Sequence, residues 1–437
     1  MVTTRAAGPP AKDPTDLFVV RGGGPLVGQV RVHGAKNSAL KLMAAALLAE
    51  GTTIIDNVPL INDVPVMGEI LEGVGAEVEV DGERATITVE GEPDHHAPAA
   101  AVTRIRASIS TLGPLLARTG RARLALPGGD RIGARGIDLH LRGLTAMGAV
   151  VNQHPDEVEV TAEKLRGTRF TLDFPSVGAT ENLVMAATRA EGVTVLDNAA
   201  REPEIQDLCR MLVAMGARID GIGTATLTIE GVDRLHPVRW ATCPDRVEAG
   251  TFLVAGALTG GEVTVTDVRP GDLHLPLLKL ADMGVNVDDT VDTITVRSDG
   301  LRAINVVTLP YPGFPTDLQP QMMVLMTQAS GTSRCTENVF ESRFSFVDEL
   351  ARMGADITID GHHAMIRGGV PLRGAHLAGL DVRAGAAGVL AGLVAEGETV
   401  VHDVHHVDRG YTDLVGQLTD LGADIERVPG DARTRPT

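Results

Sequence analysis

A helical segment of small and apolar residues recurs six times along the chain, each time closing in a turn and followed by a β-rich run. Such internal repetition at a fixed period constrains the fold more than any other feature. A second, amphipathic helix follows each copy and ends at a glycine, where a left-handed C-cap is expected. These glycines, spaced 68 to 73 residues apart, are Gly75, Gly148, Gly216, Gly284, Gly354 and Gly422. The repeating unit is therefore helix, strand, helix and a strand pair.

The repeated helices, such as MAAALLA and VLAGLVA, are apolar on nearly every face. A helix of that kind is buried, so we expect the helices inside and the sheets outside. Alternating runs such as EVEVDGERATITVEG predict strands with one buried face. Six units divide into two groups of three, which predicts an α/β protein of two pseudo-threefold domains with a cleft between them.

Composition excludes several classes of function. A net charge of -18 argues against nucleic-acid binding. No run of eighteen apolar residues occurs, so no membrane span is expected. Three distant cysteines without a CxxC pair argue against disulfides and zinc, and favour a reducing cytoplasm. Residues 1–16 and 431–437 are predicted to be disordered tails, and the former has no apolar core of a secretory signal.

Charged residues stand just before the first helix of several repeats. A cation there opposes the helix dipole, so Lys36, Arg106 and Arg383 indicate that an anion is bound at these helix N-termini. The acidic and hydroxyl residues at the same places have a simpler alternative role as N-caps. They are Ser176, Thr180, Asp245, Thr316, Asp317 and Asp381.

A Gly-rich segment, residues 124–140, interrupts the repeat and carries Asp130, Arg131 and Arg135. We interpret it as a lid, with a surface loop as the alternative. His402, His405 and His406 are clustered, but no metal-ligand spacing accompanies them, and no metal site is predicted.

At these residues the chain resembles the UDP-N-acetylglucosamine 1-carboxyvinyltransferase family of the EPSP synthase superfamily. The resemblance runs from about residue 18 to 428 and rests on motifs that include GAKNSALKLMAA, LPGGDRIGARGIDLH, SVGATEN, NAAREPEI, FPTDLQPQ, ENVFESRF, DVRAGAAGVLAG and VDRGY. The shikimate-phosphate enolpyruvyl transferases match less well. The resemblance implies a two-domain inside-out α/β barrel, with one domain at 36–243, the other at 17–35 plus 244–430, and the active site in the interdomain cleft.

The implied activity is transfer of enolpyruvyl from phosphoenolpyruvate to the 3-hydroxyl of UDP-N-acetylglucosamine with release of phosphate. This is the first committed step of peptidoglycan precursor synthesis. The implied partners are these two small molecules. No metal or organic cofactor is expected, and the sequence does not indicate an oligomeric state.

The resemblance also implies roles for individual residues. The phosphoenolpyruvate-binding set is Lys36, Asn37, Arg106, Arg135, Arg383 and Arg409. The UDP-sugar-binding set is Asn37, Arg106, Arg135, Gly136, Ile137, Asp138, Leu139, Ser176, Val177, Gly178, Asp317, Val339 and Phe340, with Arg343 beside it. The catalytic set is Asp130, Asp317, Lys36 and Asp381, in which Asp317 is the candidate base and Asp130 the candidate proton donor.

The chain departs from the family pattern at the lid, where Asp130 replaces the cysteine that fosfomycin alkylates in most members. We therefore predict fosfomycin resistance, because a carboxylate is a poorer nucleophile than a thiolate. Gly136, Ser110 and Phe174 stand where many members have Pro, Trp and Lys. These changes leave open another uridine nucleotide, such as UMP, as acceptor. A non-catalytic UDP-sugar-binding paralogue is the remaining alternative.

Overall fold

The computed structural model describes residues 13–130 and 132–430. Most of the predicted N-terminal tail, the C-terminal tail and Arg131 of the predicted lid lie outside the described residues. The chain forms two compact units. Unit 1 comprises Gly34–Asp130 and Arg135–Cys243, and the described part of unit 2 comprises residues 13–33, 132–134 and 244–430.

The chain begins with two strands of unit 2, β1 (Leu17–Arg21) and β2 (Val27–Arg31). The helices of unit 1 follow, and they are α1 (Lys36–Ala45), α2 (Asp63–Gly73), α3 (Ala99–Val102), α4 (Leu112–Thr119), α5 (Asp138–Ala146), α6 (Val177–Ala187) and α7 (Pro203–Ala214). Its strands are β3 (Gly51–Asp56), β4 (Ala76–Asp81), β5 (Arg84–Val89), β6 (Arg121–Ala125), β7 (Val150–Gln153), β8 (Glu157–Thr161), β9 (Arg169–Thr171), β10 (Val193–Asp197), β11 (Arg218–Asp220), β12 (Thr226–Glu230) and β13 (Arg239–Ala241). Short 3-10 helices cover Ala46–Leu48 and Arg106–Thr111.

Unit 2 repeats the same order of elements. Its helices are α8 (Arg246–Leu258), α9 (His274–Asp282), α10 (Gln319–Thr327), α11 (Val347–Arg352), α12 (Val382–Val394) and α13 (Leu414–Asp420). Its further strands are β14 (Glu262–Thr266), β15 (Asn286–Asp289), β16 (Thr293–Arg297), β17 (Asn305–Val307), β18 (Thr332–Thr336), β19 (Asp356–Asp360), β20 (His363–Arg367), β21 (His376–Ala378), β22 (Glu398–His402) and β23 (Asp424–Val428). Its 3-10 helices cover Pro270–Leu273, Thr316–Leu318, Arg343–Phe346 and Val407–Arg409.

Each repeat contributes one small sheet. The sheet orders in unit 1 are β13-β3-β5-β4, β6-β8-β7 and β11-β12-β10-β9, and those in unit 2 are β15-β16-β14-β2, β17-β18-β20-β19 and β21-β22-β1-β23. A parallel crossover such as β9–α6–β10 is followed by an antiparallel pair such as β11 and β12. In unit 1 the last strand, β13, runs parallel to β3 with Trp240 opposite Ile55, so it completes the sheet of the first repeat.

The first helix of each repeat lies in the core, as the sequence predicts. Every residue of α8 is buried, and α12 is buried from Val382 through Leu393. The strands alternate instead, as in β12, whose burial follows a strict two-residue period. Each unit has its own apolar core, so each repeat buries its helix against its neighbours and presents one sheet face outward. These features define the inside-out α/β barrel.

The glycines predicted to end the second helix of each repeat all adopt the left-handed conformation. Their φ angles lie between 93° and 106°. An L-residue with a side chain is strained there, which explains why glycine recurs at this point. In the described part of the chain, no helix combines the length and apolar character that crossing a membrane requires.

Candidate active site

The predicted site residues are divided between the two units. Unit 1 carries Lys36, Asn37, Arg106, Asp130, Arg135, Gly136, Ile137, Asp138, Leu139, Ser176, Val177 and Gly178. Unit 2 carries Asp317, Val339, Phe340, Asp381, Arg383 and Arg409. Each set is described within its own unit.

Lys36 is the first residue of α1, and its ammonium group is paired with a carboxylate of the neighbouring helix. Lys36 Nζ lies 2.8 Å from Asp63 Oδ2, and the two side chains are 11% and 4% exposed. Lys41, one turn further along α1, donates to the carbonyl oxygen of Asn37 at 2.6 Å. The ion pair offsets the unfavourable placement of a cation at a helix N-terminus and fixes the direction of the Lys36 side chain.

Arg106 begins the 3-10 helix that precedes α4, and its guanidinium group reaches back to the predicted lid. It donates to the carbonyl oxygen of Arg135 and, at 3.5 Å each, to those of Gly136 and Pro127. Burial and the positive charge of Arg135 lower the pKa of Arg106 to about 10. Two guanidinium groups so close are suited to hold an anion, and we call this part of the structure the unit 1 anion-binding region. The binding itself stays a prediction.

The predicted lid contains no helix or strand between β6 and α5, as far as its residues are described. Arg135 has a φ of 42°, a left-handed conformation that is uncommon for a residue with a side chain. Residues 132–134 belong to unit 2, where the amide of Ala134 donates to Glu341 Oε1 at 2.6 Å. Asp130 is half-buried. The movement of a lid and the role of Asp130 as proton donor stay predictions.

Asp317 in unit 2 lies between two guanidinium groups. Arg343 Nη2 lies 3.1 Å from its Oδ1, and Arg383 Nη2 lies 3.4 Å from its Oδ2. Both arginines are almost fully buried, whereas Asp317 is 25% exposed. Burial is the largest single influence on Arg383 and works against its charge, but Asp317, Tyr411 and Asp245 together outweigh it and raise the pKa of Arg383 above its usual range. The carboxylate of Asp317 thus has a fixed position between two cations and remains partly exposed.

Several acidic and hydroxyl residues at the helix N-termini are N-caps. Asp381 Oδ1 accepts the amides of Arg383 at 2.8 Å and Ala384 at 3.1 Å. Asp245 caps α8 in the same way, and Ser176 Oγ accepts the amide of Ala179 at 3.3 Å. The capping alternative is therefore correct for these three residues. Asp381 is thus an N-cap, and its additional catalytic role stays a prediction.

Glu337 is a residue of this region to which the sequence assigned no role. Its buried carboxylate accepts the amides of Val339 at 2.8 Å and Phe340 at 3.1 Å through Oε1, and the hydroxyl of Thr316 at 3.0 Å through Oε2. One side chain thereby positions both the Val339–Phe340 turn and the residue before Asp317. The ENVFESRF motif contains Glu337 together with Val339 and Phe340, but Thr316 lies 21 residues earlier, so the motif alone could not reveal that contact.

The remaining predicted positions are ordinary in their local structure. Arg409 ends the 3-10 helix Val407–Arg409 and is half-buried, as are Val339 and Phe340. His402, one of the clustered histidines, contacts His376, and its Nε2 lies 3.0 Å from Nδ1 of that residue. Among the described residues, no three His, Cys, Asp or Glu side chains are grouped to hold a metal ion.

The fold agrees with comparisons to known proteins. The sequence model of EPSP synthase (3-phosphoshikimate 1-carboxyvinyltransferase) matches residues 20–418. The chain therefore belongs to this family of enolpyruvyl transferases. It is 56% identical over 423 residues to a protein of Nocardia farcinica and 55% identical over 414 residues to one of Mycobacterium tuberculosis. Both relatives are named UDP-N-acetylglucosamine 1-carboxyvinyltransferase, and the matches cover 95% and 94% of this chain and 99% of each relative.

Solved structures give the same fold. The enolpyruvyl transferase NikO from Streptomyces tendae superposes with a TM-score of 0.85 at 30% identity, covering 94% of this chain and 99% of that one. EPSP synthase from Acinetobacter baumannii superposes with a TM-score of 0.73 at 20% identity, covering 94% of this chain and all of that one. The second likeness shows the fold alone.

Proposed function

We propose that this protein transfers the enolpyruvyl group of phosphoenolpyruvate to the 3-hydroxyl of UDP-N-acetylglucosamine and releases inorganic phosphate. The observation that carries the proposal is the identity of more than half of all positions, over nearly the whole chain, with relatives named for this reaction. The basic residues that the two anionic substrates require are all present. They are Lys36, Arg106, Arg135, Arg383 and Arg409.

The reaction proceeds by addition and elimination. A proton from Asp130 goes to C3 of phosphoenolpyruvate, which leaves C2 electron-poor. The sugar oxygen forms a bond to C2 while its proton goes to Asp317, and a tetrahedral ketal phosphate results. In the second step C3 returns a proton to the carboxylate of Asp130, the double bond between C2 and C3 forms again, and the bond from C2 to the phosphate oxygen breaks to release inorganic phosphate. Positioned acids and bases of this kind contribute about 10²- to 10⁴-fold each.

The environment of Asp317 suits the part of a base in this scheme. Arg343 and Arg383 each hold one of its oxygens, so the carboxylate has a fixed position before the hydroxyl arrives. A carboxylate stabilised by two cations is a weak base. It accepts the proton only as C2 draws electrons from the sugar oxygen, which couples proton removal to bond formation.

The arginines and Lys36 bind the phosphate and carboxylate of phosphoenolpyruvate. Because Arg106 is largely buried beside Arg135, a dianion relieves the repulsion between the two guanidinium groups on binding. The substrates are small molecules, and a cytoplasmic location in the peptidoglycan pathway is part of the proposal. The buried thiols of Cys209, Cys243 and Cys335 form no disulfide, in keeping with that location.

A second candidate is enolpyruvyl transfer to another uridine nucleotide. It rests on Ser110 and Phe174, which replace residues common in the family. Ser110 is buried and donates to Glu181 Oε2 at 3.4 Å, while Phe174 is 40% exposed. Both residues concern binding of the acceptor rather than of phosphoenolpyruvate. The second candidate function therefore has a different acceptor and the same reaction.

The test is phosphate release from phosphoenolpyruvate with UDP-N-acetylglucosamine or UMP as acceptor, and with no acceptor as the blank. Release with the UDP-sugar supports the main proposal. Release with UMP alone overturns the acceptor assignment and supports the second candidate. Binding of the UDP-sugar by calorimetry without release from either acceptor overturns both and indicates the non-catalytic paralogue.

A further inference from the structure

His140, the third residue of α5, has no role in the scheme above although it lies close to the unit 1 anion-binding region. It is 3% exposed, and its Nδ1 lies 2.9 Å from Nδ2 of Asn182 on α6. Buried histidines are commonly held by one such bond and do nothing more. Here the neighbours of Asn182 decide which ring nitrogen carries the hydrogen.

The amide of Asn182 can take only one orientation. Asn182 Oδ1 accepts the backbone amide of Gly113 at 2.8 Å, and Nδ2 donates to the carbonyl oxygen of Ile109 at 3.0 Å. Nδ2 has no lone pair to offer, so toward His140 it acts as a donor and Nδ1 of the ring accepts. The hydrogen of the neutral imidazole is therefore on Nε2.

The ring remains neutral at the pH of the cell. Burial, and to a lesser extent the charge of Arg106, lower the pKa of His140 to about 3. The Nε2–H group is consequently a permanent, uncharged donor.

Nε2 faces the start of α6. A Cβ atom at Gly178 would lie 3.2 Å from Nε2, so only glycine allows the His140 ring to lie this close to the N-terminus of α6. The structure shows no hydrogen bond from Nε2 to any residue it describes, yet the atom is not sealed from solvent. A donor on a side chain that is more than nine-tenths buried thus lies beside Gly178 and keeps some contact with solvent.

The N-terminus of α6 offers further donors at the same place. Ser176 takes the amides of Ala179 and Thr180 through its hydroxyl and carbonyl oxygens. The amides of Val177 and Gly178 have no acceptor among the described residues, and both residues are half-buried rather than enclosed. Two amides, the positive end of an eleven-residue helix and the neutral ring donor suit an oxygen-rich anion.

We propose that His140 donates its Nε2–H to a diphosphate oxygen of the UDP-sugar, with Asn182 setting the tautomer. This inference rests on the proposed function, since it names a further substrate-binding residue for the same acceptor. A neutral donor adds a directed hydrogen bond without adding a charge to a region that already holds Arg106 and Arg135. Binding of the diphosphate thereby becomes independent of pH over the range in which an ordinary histidine titrates.

Two substitutions separate the outward donor from the inward acceptor. In His140→Gln the amide nitrogen occupies the place of Nε2, so the donor to the diphosphate is kept and the bond from Asn182 is lost. In His140→Asn the amide oxygen occupies the place of Nδ1, so the bond from Asn182 is kept and the outward donor is lost. His154→Asn, at an exposed histidine of the same unit, is the matched control.

The measurement is the Kd of UDP-N-acetylglucosamine by calorimetry, with its KM and that of phosphoenolpyruvate for the active variants. We expect His140→Asn to weaken UDP-sugar binding about 10- to 100-fold, as for the loss of a hydrogen bond to a charged group. His140→Gln stays within a few-fold of the wild type, and the KM for phosphoenolpyruvate changes little in either variant. The Kd of the wild type is constant between about pH 5.5 and 8.

Wild-type affinity in His140→Asn, or an equal loss in both variants, would show that His140 is only a core residue. A Kd that titrates near an ordinary histidine pKa in the wild type and not in His140→Gln would contradict a neutral donor. The Kd does not depend on turnover. A wild type that binds the UDP-sugar without releasing phosphate would therefore contradict the proposed function and leave the inference about His140 standing. A wild type that does not bind it overturns this inference.

Discussion

Asp317 shows at the level of one residue how the surrounding charges define a chemical role. Two buried guanidinium groups hold its oxygens at 3.1 and 3.4 Å. Asp317→Asn keeps the size of the side chain and removes the charge that accepts the proton. We expect kcat to fall at least 100-fold, in the range typical of a general base. Steady-state phosphate release would measure this, with Asp348→Asn on the separate helix α11 as control. A kcat within a few-fold of the wild type contradicts the assignment of Asp317 as base.

The prediction of fosfomycin resistance rests on Asp130. The thiols of Cys209 and Cys335 are buried, and burial raises the pKa of each to about 12. Neither therefore offers a thiolate to the epoxide ring of fosfomycin. We expect the wild type to resist fosfomycin and Asp130→Cys to become sensitive, with an adduct at residue 130 detected by mass spectrometry. Asp130→Asn is the control without a thiol. An adduct on Asp130 itself, or inactivation of the wild type by fosfomycin, would contradict the prediction.

Sequence reasoning singled out the charged candidate residues but not the groups that contact them. Lys36, Arg106 and Arg383 could be found because a cation at a helix N-terminus needs an explanation. Asp63, the partner of Lys36, and Arg343, a partner of Asp317, lie on other helices of the same unit as the residue they contact, and only packing brings them within reach. Glu337 and His140 were missed for the same reason, because a buried polar residue has no periodic signature.

At the level of elements, the repeated glycines were predictable because a helix end that requires a positive φ restricts the residue type. Gly148 has a φ of 93°, and a Cβ atom there would meet no neighbour within 4 Å. Gly148→Ala therefore costs only backbone strain, about 1 kcal/mol of unfolding free energy. Gly68→Ala inside α2, where the Cβ would be 3.5 Å from Val78, is the control and should be neutral or stabilising. Urea denaturation would compare them, and equal stability in the two variants would refute the cap assignment.

Helix α6 contains a buried carboxylate that makes stability depend on pH. Burial, opposed by Lys41, raises the pKa of Glu181 to about 7. In the folded state the group thus binds a proton that the unfolded chain has lost, and stability falls as pH rises from about 4.5 to 7. Glu181→Gln should reduce this loss, as thermal unfolding across that range would show. Exposed Glu163→Gln is the control and keeps the wild-type profile. A Glu181→Gln profile as steep as the wild type's speaks against a raised pKa.

At the level of the whole molecule, the repeat predicted six similar units but not how their strands pair. The chain passes from unit 2 to unit 1 after His33 and returns after Cys243. The strand β2, which directly precedes α1, pairs with β14 of unit 2, while β13 pairs with β3 of unit 1. Both pairings satisfy the same two-residue period, so periodicity could not distinguish them. Long-range packing determines the choice.

The central claim is transfer of the enolpyruvyl group itself, and mass spectrometry of the acceptor tests it most directly. The protein would be incubated with phosphoenolpyruvate and equal amounts of UDP-N-acetylglucosamine and UMP, with Asp317→Asn as the matched control. We predict that UDP-N-acetylglucosamine alone gains the mass of an enolpyruvyl group, in step with phosphate release, and that the variant forms far less product. An unmodified UDP-sugar beside modified UMP, or two unmodified acceptors, would contradict the account.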